Sequence, residues 1–127
     1  MLGTTIDLIT DRPDGSFVLY LIEQGPWSSD AMTHLHAIQD RVYACFDLAV
    51  DGRLAAGHPD SSGRPVVIRV DAYDTPAGKV AGFVRFLADV IAGSPDHQDA
   101  LRRSPHVTSI DFECVEKHLR RGGQGAS

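Results

Sequence analysis

The chain is poor in the residues that most often announce chemistry. It holds two cysteines, one tryptophan and two methionines in 127 residues. Two cysteines, Cys45 and Cys114, make neither a disulfide framework nor a CxxC metal site, and both read as small buried hydrophobes. Basic residues are outnumbered, with 12 Lys and Arg against 17 Asp and Glu and a net charge of -5. Such a surface repels phosphate backbones, so no nucleic-acid partner is expected. No stretch reaches the roughly 18 apolar residues of a membrane span, so no membrane partner is expected either. The N-terminal Met1-Leu2-Gly3-Thr4-Thr5 lacks a basic start and a long apolar run, the marks of a secretory signal. A cytoplasmic location with reduced thiols follows as the expectation.

Catalytic signatures are missing too. There is no GxSxG, Walker loop, GxGxxG or HExxH in the sequence. Gly122-Gly123-Gln124-Gly125 is followed by no helix, and Lys117-His118-Leu119-Arg120-Arg121 is a short basic cluster of solvated character. His34 and His36 lie about 200° apart around a helix and cannot easily share an ion. His58, His97, His106 and His118 fall in loops or near the tail, so all six histidines read as solvated. Two carboxylate pairs, Asp47 with Asp51 and Asp71 with Asp74, read as a solvated helix pair and as turn and capping residues. No catalytic residue, cofactor or metal site is therefore expected.

What the chain does have is apolar periodicity. Residues 5–10 alternate, with Ile6 and Leu8 pointing one way and Ile9 the other. Asp11-Arg12-Pro13-Asp14-Gly15 follows as a tight turn, because Pro presets φ and Gly accepts positive φ. A second strand, residues 16–23, completes an antiparallel hairpin. Ser28 or Ser29 caps a helix of about 20 residues whose core stripe is Leu35, Ile38, Val42, Cys45 and Ala49, stopped by Gly52. A connector, residues 53–65, leads to a third strand, residues 66–73. Thr75-Pro76 opens a second helix with the stripe Val80, Phe83, Val84, Leu87, Val90 and Ile91, closed by Gly93. Ser94-Pro95 starts a short helix to Arg103, and residues 108–115 form a fourth strand. Residues 1–119 read as one α+β domain and residues 120–127 as a disordered tail.

The order β-β-α-β-α-β predicts a two-layer sandwich: a mixed four-stranded sheet with both main helices on one face, since crossovers are right-handed. The second strand conflicts with that plan. Phe17-Val18-Leu19-Tyr20-Leu21-Ile22 is apolar on both faces, and each face needs cover. The open face would show Ile9, Val18, Tyr20, Ile22, Val67 and Tyr73 among Arg69, Asp71, Asp111 and Glu113. A second copy stacked on Val18, Tyr20, Ile22, Val67 and Tyr73 is the first explanation, making the chain a homodimer. Cover by the Trp27 loop, the connector or the C-terminal segment is the second. Trp27 reads as a staple on the first helical turn or as a rim aromatic, and with Tyr43 and Arg64 it would edge a ligand or partner site.

Several local runs resemble one family. Ile6-Asp7-Leu8-Ile9-Thr10, Gly25-Pro26-Trp27, Leu48-Ala49-Val50-Asp51-Gly52-Arg53-Leu54, His58-Pro59 and Gly63-Arg64-Pro65-Val66 look like a group of small bacterial proteins assigned only as a domain of unknown function. The likeness covers roughly residues 5–90 and weakens over 94–108. It implies a bacterial cytosolic domain and supplies no activity, ligand or catalytic residue. Two function classes remain: a non-catalytic, dimeric interaction or regulatory module with an unidentified protein partner, or a small-molecule-binding domain or enzyme with a pocket near Trp27 and the connector.

Overall fold

The structure, a computed structural model, describes residues 6–27 and 30–118. Its elements are β1 (Leu8–Asp11), β2 (Phe17–Gln24), α1 (Ala31–Val50), α2 (Arg53–Gly57), a 3₁₀ turn (Pro59–Ser61), β3 (Arg64–Tyr73), α3 (Lys79–Ala92), α4 (Pro95–Arg103) and β4 (Val107–Lys117). The strands form one mixed sheet in the order β1-β2-β3-β4, antiparallel between β1 and β2 and parallel elsewhere. The helices gather on one face, where Phe17, Leu19, Leu21, Val66, Ile68 and Val70 meet the stripes of α1 and α3. Each large core side chain so buried stabilises the fold by roughly 1.5–3 kcal/mol. The expected α+β sandwich is the observed one. The expected tail, residues 120–127, lies outside the described residues.

Local chemistry explains the boundaries. In the hairpin turn, the Asp14 carboxylate accepts from the Ser16 N–H at 2.9 Å and from its hydroxyl at 2.7 Å, and Gly15 sits at φ +94°. The cap of α1 is Asp30, whose side chain accepts from the Met32 N–H; Ser28 and Ser29 lie outside the described residues. Gly52, at φ +93°, stops α1 as expected. The connector is more ordered than a plain loop, since it contains α2 and the 3₁₀ turn.

Two expectations need correction. The first concerns β1. Leu8 stands opposite Tyr20 on the open face, half exposed, while Ile9 stands opposite Leu19 and packs against the core. Ile6 is buried as expected, but a bend at Asp7 separates it from the strand and shifts the alternation by one residue. Asp7 holds that bend, its carboxylate accepting from the Ile22 N–H at 2.7 Å and from Arg41 at 2.6 Å.

The second correction concerns α3, which begins at Lys79 rather than at Thr75-Pro76. Its cap residue is Gly78, which has no side chain to offer. Glu116 of β4 takes that place: its carboxylate accepts from the Gly78 N–H at 2.8 Å and the Ala81 N–H at 3.0 Å. A cap borrowed from a strand leaves no local sequence signal. The bonds from Ala81 and Gly78 hold the Glu116 carboxyl below its ordinary value of 4.5. A lowered folded-state value means the stabilisation is full above about pH 4.5 and is lost as pH falls through the folded value. Glu116→Ala is expected to cost about 1 kcal/mol in urea unfolding at neutral pH. The gap from the wild type should narrow in acid; a gap that is constant with pH would rule out a carboxylate cap.

Candidate functional site

The uncovered sheet face is where the sequence placed its interface residues, and the register confirms that they share it. Val18, Tyr20, Ile22 and Gln24 of β2 stand beside Val67, Arg69, Asp71 and Tyr73 of β3, with Asp111, Glu113, Val115 and Lys117 of β4 beyond. Among the described residues no helix packs on this side. Val18 is nevertheless 0% exposed and Val67 6%.

Their cover is a lattice of side chains from the sheet itself. Arg12, in the turn after β1, lays its guanidinium against Glu113 of β4, with Nη1 and Nη2 donating to Oε2 and Oε1 at 2.9 and 2.7 Å. This fork–fork pair joins elements from the two edges of the sheet. Arg69 adds a second layer: Nε donates to Asp71 Oδ1 at 2.6 Å, Nη1 lies 3.9 Å from Glu113, and Cζ stands 5.2 Å from the Tyr20 ring centroid. Further along, the Lys117 ammonium sits 5.4 Å from the Tyr73 centroid. Asp71, expected as a turn or cap residue, is buried in this lattice, 6% exposed. Tyr20, Ile22, Tyr73 and Val115 stay half-buried. The face is mixed, with three cations (Arg12, Arg69, Lys117) among three anions (Asp71, Asp111, Glu113). The second apolar side of β2 is thus covered within one chain.

The parallel strands also gather their carboxyl ends, where Gln24, Tyr73 and Lys117 are in register. In open sheets with parallel strands this end is the usual place for ligands. Here the Gly25 N–H donates to the Tyr73 carbonyl at 2.6 Å, and a Cβ at Gly25 would come within 2.1 Å of the Asp74 carbonyl oxygen. Only glycine fits there. Asp74 adopts φ +57°, unusual for a residue with a side chain, and its carboxylate lies 4.0 Å from His118. Thr75 is 4% exposed, and its hydroxyl has no hydrogen-bond partner among the described residues. Beside them the Trp27 indole N–H donates to Glu23 at 3.2 Å, and the Trp27 ring stacks on His34 of α1 at 4.6 Å. Trp27 thereby serves as the staple on the first helical turn.

The remaining residues do not join that end. Tyr43 stacks on His97 of α4 at 5.6 Å. Arg64 lies at the amino end of β3, donating to the Gly15 carbonyl and covering the Phe17 ring at 4.5 Å. Since β2 and β3 are parallel, Trp27 after β2 and the connector before β3 sit at opposite ends of the sheet, and the pocket expected between them is not formed. Histidines expected as solvated are partly packed: His34 on Trp27, His97 against Tyr43 and Phe46, and His106 beneath Gly52. No group of three or more metal-ligating side chains occurs among the described residues. Cys45 is buried, as expected, and burial pushes its thiol up to about 12; half-buried Cys114 is pushed up to about 11.

The sequence placed Arg12 in the hairpin turn, Glu113 on the open face, and Asp74 and Thr75 in turn and capping roles, and joined none of them into a site. Arg12 and Glu113 left only a parity signal, as polar residues in phase with Val18. Asp74 left a weak one, since Asp tolerates positive φ better than most residues. Comparison with protein-family models finds no match, and comparisons with curated proteins and with solved structures find none either.

Arg12→Ala is expected to uncover Val18 and Val67 and so raise the binding of a hydrophobic dye while the far-ultraviolet circular dichroism stays unchanged. Unaltered dye binding would show that the cover lies elsewhere. Acid should act in the same direction. The hydrogen bond from Arg12 holds the Glu113 carboxyl below 4.5, so its stabilisation is present above that pH and fades as pH falls through the folded value. Glu113→Gln should flatten the decline of the melting temperature below pH 5.

Proposed function

We propose that this chain is a non-catalytic, dimeric protein-interaction module whose working surface is the helix-free sheet face. The observation that carries the reading is that face itself: four strands without helical cover among the described residues, with Tyr20, Ile22 and Tyr73 half exposed between charges of both signs. Mixed surfaces of this kind, aromatic at the centre and charged around, suit partners that bind and leave. Val18 and Val67 support the patch from beneath rather than forming contacts of their own. A bacterial cytosol is the proposed location, a reducing compartment in which Cys45 and Cys114 stay free. No helix of the described residues is long and apolar enough to cross a membrane.

A small-molecule site is the second reading, and one observation favours it. At the carboxyl ends of the parallel strands, the Thr75 hydroxyl, unpartnered among the described residues, lies buried beside Asp74 at positive φ. Buried hydroxyls normally find a partner, so this one invites a ligand group.

The solution mass is the first test. Light scattering on the untagged protein is expected to give twice the chain mass of 13.7 kDa; a monomer at every concentration would remove the dimeric part of the proposal. The face is tested by comparing wild type and Tyr20→Asp as baits. Proteins held by the first and lost by the second are expected, and identical sets would exclude the face. For the second reading, a panel of nucleotides, sugar phosphates and amino acids is screened by thermal shift. A stabilising compound whose effect is lost in Thr75→Val would replace the module reading with the ligand one.

A further inference from the structure

We infer that two copies of this chain join edge to edge, β4 pairing antiparallel with β4 of the second copy about a two-fold axis at Cys114. Two four-stranded sheets would become one of eight strands. The inference rests on the proposed dimeric module and names where its copies meet.

The sheet has two edges, and only one is protected. β1 is four residues long and runs straight into Arg12-Pro13. Shortness and proline are the usual defences of an edge. β4 is eleven residues long, pairs with β3 on one side, and has no strand on its other side among the described residues. It contains no proline, and its only basic residue is the last, Lys117. Its register irregularity lies far from the centre, opposite Arg64–Val66. Such a strand offers a row of free N–H and C=O groups to a neighbour.

Space is also left along this edge. A cavity of about 220 Å³ opens between α3 and β4, lined by Ala81, Arg85, Ala88, Phe112 and Cys114. A second, of about 400 Å³, reaches Ile110 and Phe112. Both converge on residues 110–114 of β4. Small Ala81 and Ala88 leave room beside the strand on its helical side.

Charge selects the occupant and the register. Glu113 and Glu116 are engaged within their own chain, by Arg12 and by the first turn of α3. Among the described residues Asp111 has no ion-pair partner, and the Lys117 ammonium meets only the Tyr73 ring. A two-fold axis perpendicular to the sheet must pass midway between the two copies of one residue, so that paired side chains share a face and both copies keep their helices on one side. Centred on Phe112, the pairing would set Asp111 against Glu113; centred on Glu113, it would set that residue against itself. Centred on Val115, it would pull Glu113 from Arg12 toward Lys117 and leave Asp111 beyond the partner strand. Centred on Cys114, it sets Asp111 opposite Lys117 twice and Glu113 opposite Val115. Opposite charges directly across a ladder are favourable and like charges are not. Of these registers, only the one at Cys114 joins the free charges without disturbing those already paired.

The test uses the full chain. Lys117→Glu, which sets two carboxylates against each other, is expected to weaken the dimer at least about tenfold by analytical ultracentrifugation. Asp111→Lys should do the same, and the double exchange Asp111→Lys with Lys117→Glu should restore the dimer to within a few-fold of the wild type. Geometry gives a second readout. Residues directly opposite in an antiparallel pair lie about 4.5–5.5 Å apart at Cα, within disulfide reach. A Cys45→Ala chain treated with copper phenanthroline, which takes the two electrons of the thiol pair, is expected to form a covalent dimer through Cys114. A dimer indifferent to both charge reversals, or one that does not cross-link, would place the contact elsewhere and overturn the inference while leaving the dimeric module intact. A wild type that is monomeric throughout would remove both.

Discussion

A bidentate ion pair between Arg12 and Glu113 lets a strand as apolar as β2 lie in a sheet with helices on one side only. Without it, Val18 and Val67 would stand on a bare face; with it, they lie under the stems and forks of Arg12, Arg69 and Glu113. Arginine suits this role because its long aliphatic stem covers apolar surface while its planar fork grips a carboxylate. The pair itself is partly solvated, so its Coulomb energy is modest and its service is largely as cover. The same arrangement gives the face its character: half-exposed rings held between fixed charges.

A second long-range carboxylate organises the other side of β4. Glu116 starts α3, and α3 in turn shelters the strand that carries Glu116. Alternate residues of one strand thus reach opposite layers of the molecule, Glu113 toward the open face and Glu116 toward the helices. β4 ties both layers together while its outer side is left unpaired. An assembly built on that edge would extend the open face rather than hide it.

The legible parts of the chain were those fixed by near neighbours in sequence. Pro13 and Gly15 define the hairpin turn, Ser94-Pro95 starts α4, and Gly52 ends α1, each through chemistry confined to a few residues. Spacings of three and four marked the stripes of α1 and α3, and right-handed crossovers placed both on one face. The failures share one cause, which is interaction across the fold. Asp7 bends the chain by bonding to Ile22 and Arg41, and so reverses Leu8 and Ile9. Glu116 caps α3 from a distant strand and defeats a plausible Thr-Pro start. Of the candidate site, the membership of the face was legible from strand alternation, but its ionic cover was not, because nothing local links residue 12 to residue 113. The strained carboxyl end was equally hidden, since the conformation of Asp74 and the burial of Thr75 depend on β2, β3 and β4 meeting there.

The reach of Arg12 to Glu113 also bears on how the protein is made. A ribosome delivers β1, β2 and β3 well before β4, and during that interval the second side of β2 has no ionic roof. Val18 and Val67 then face water or whatever else is near, and a nascent chain in that condition is prone to stick to its neighbours. Closure waits for β4, and the arrival of Glu113 removes the hazard. A messenger cut short before residue 113 would release a product with its apolar face permanently open, better fitted to chaperone capture or proteolysis than to persistence in the cell.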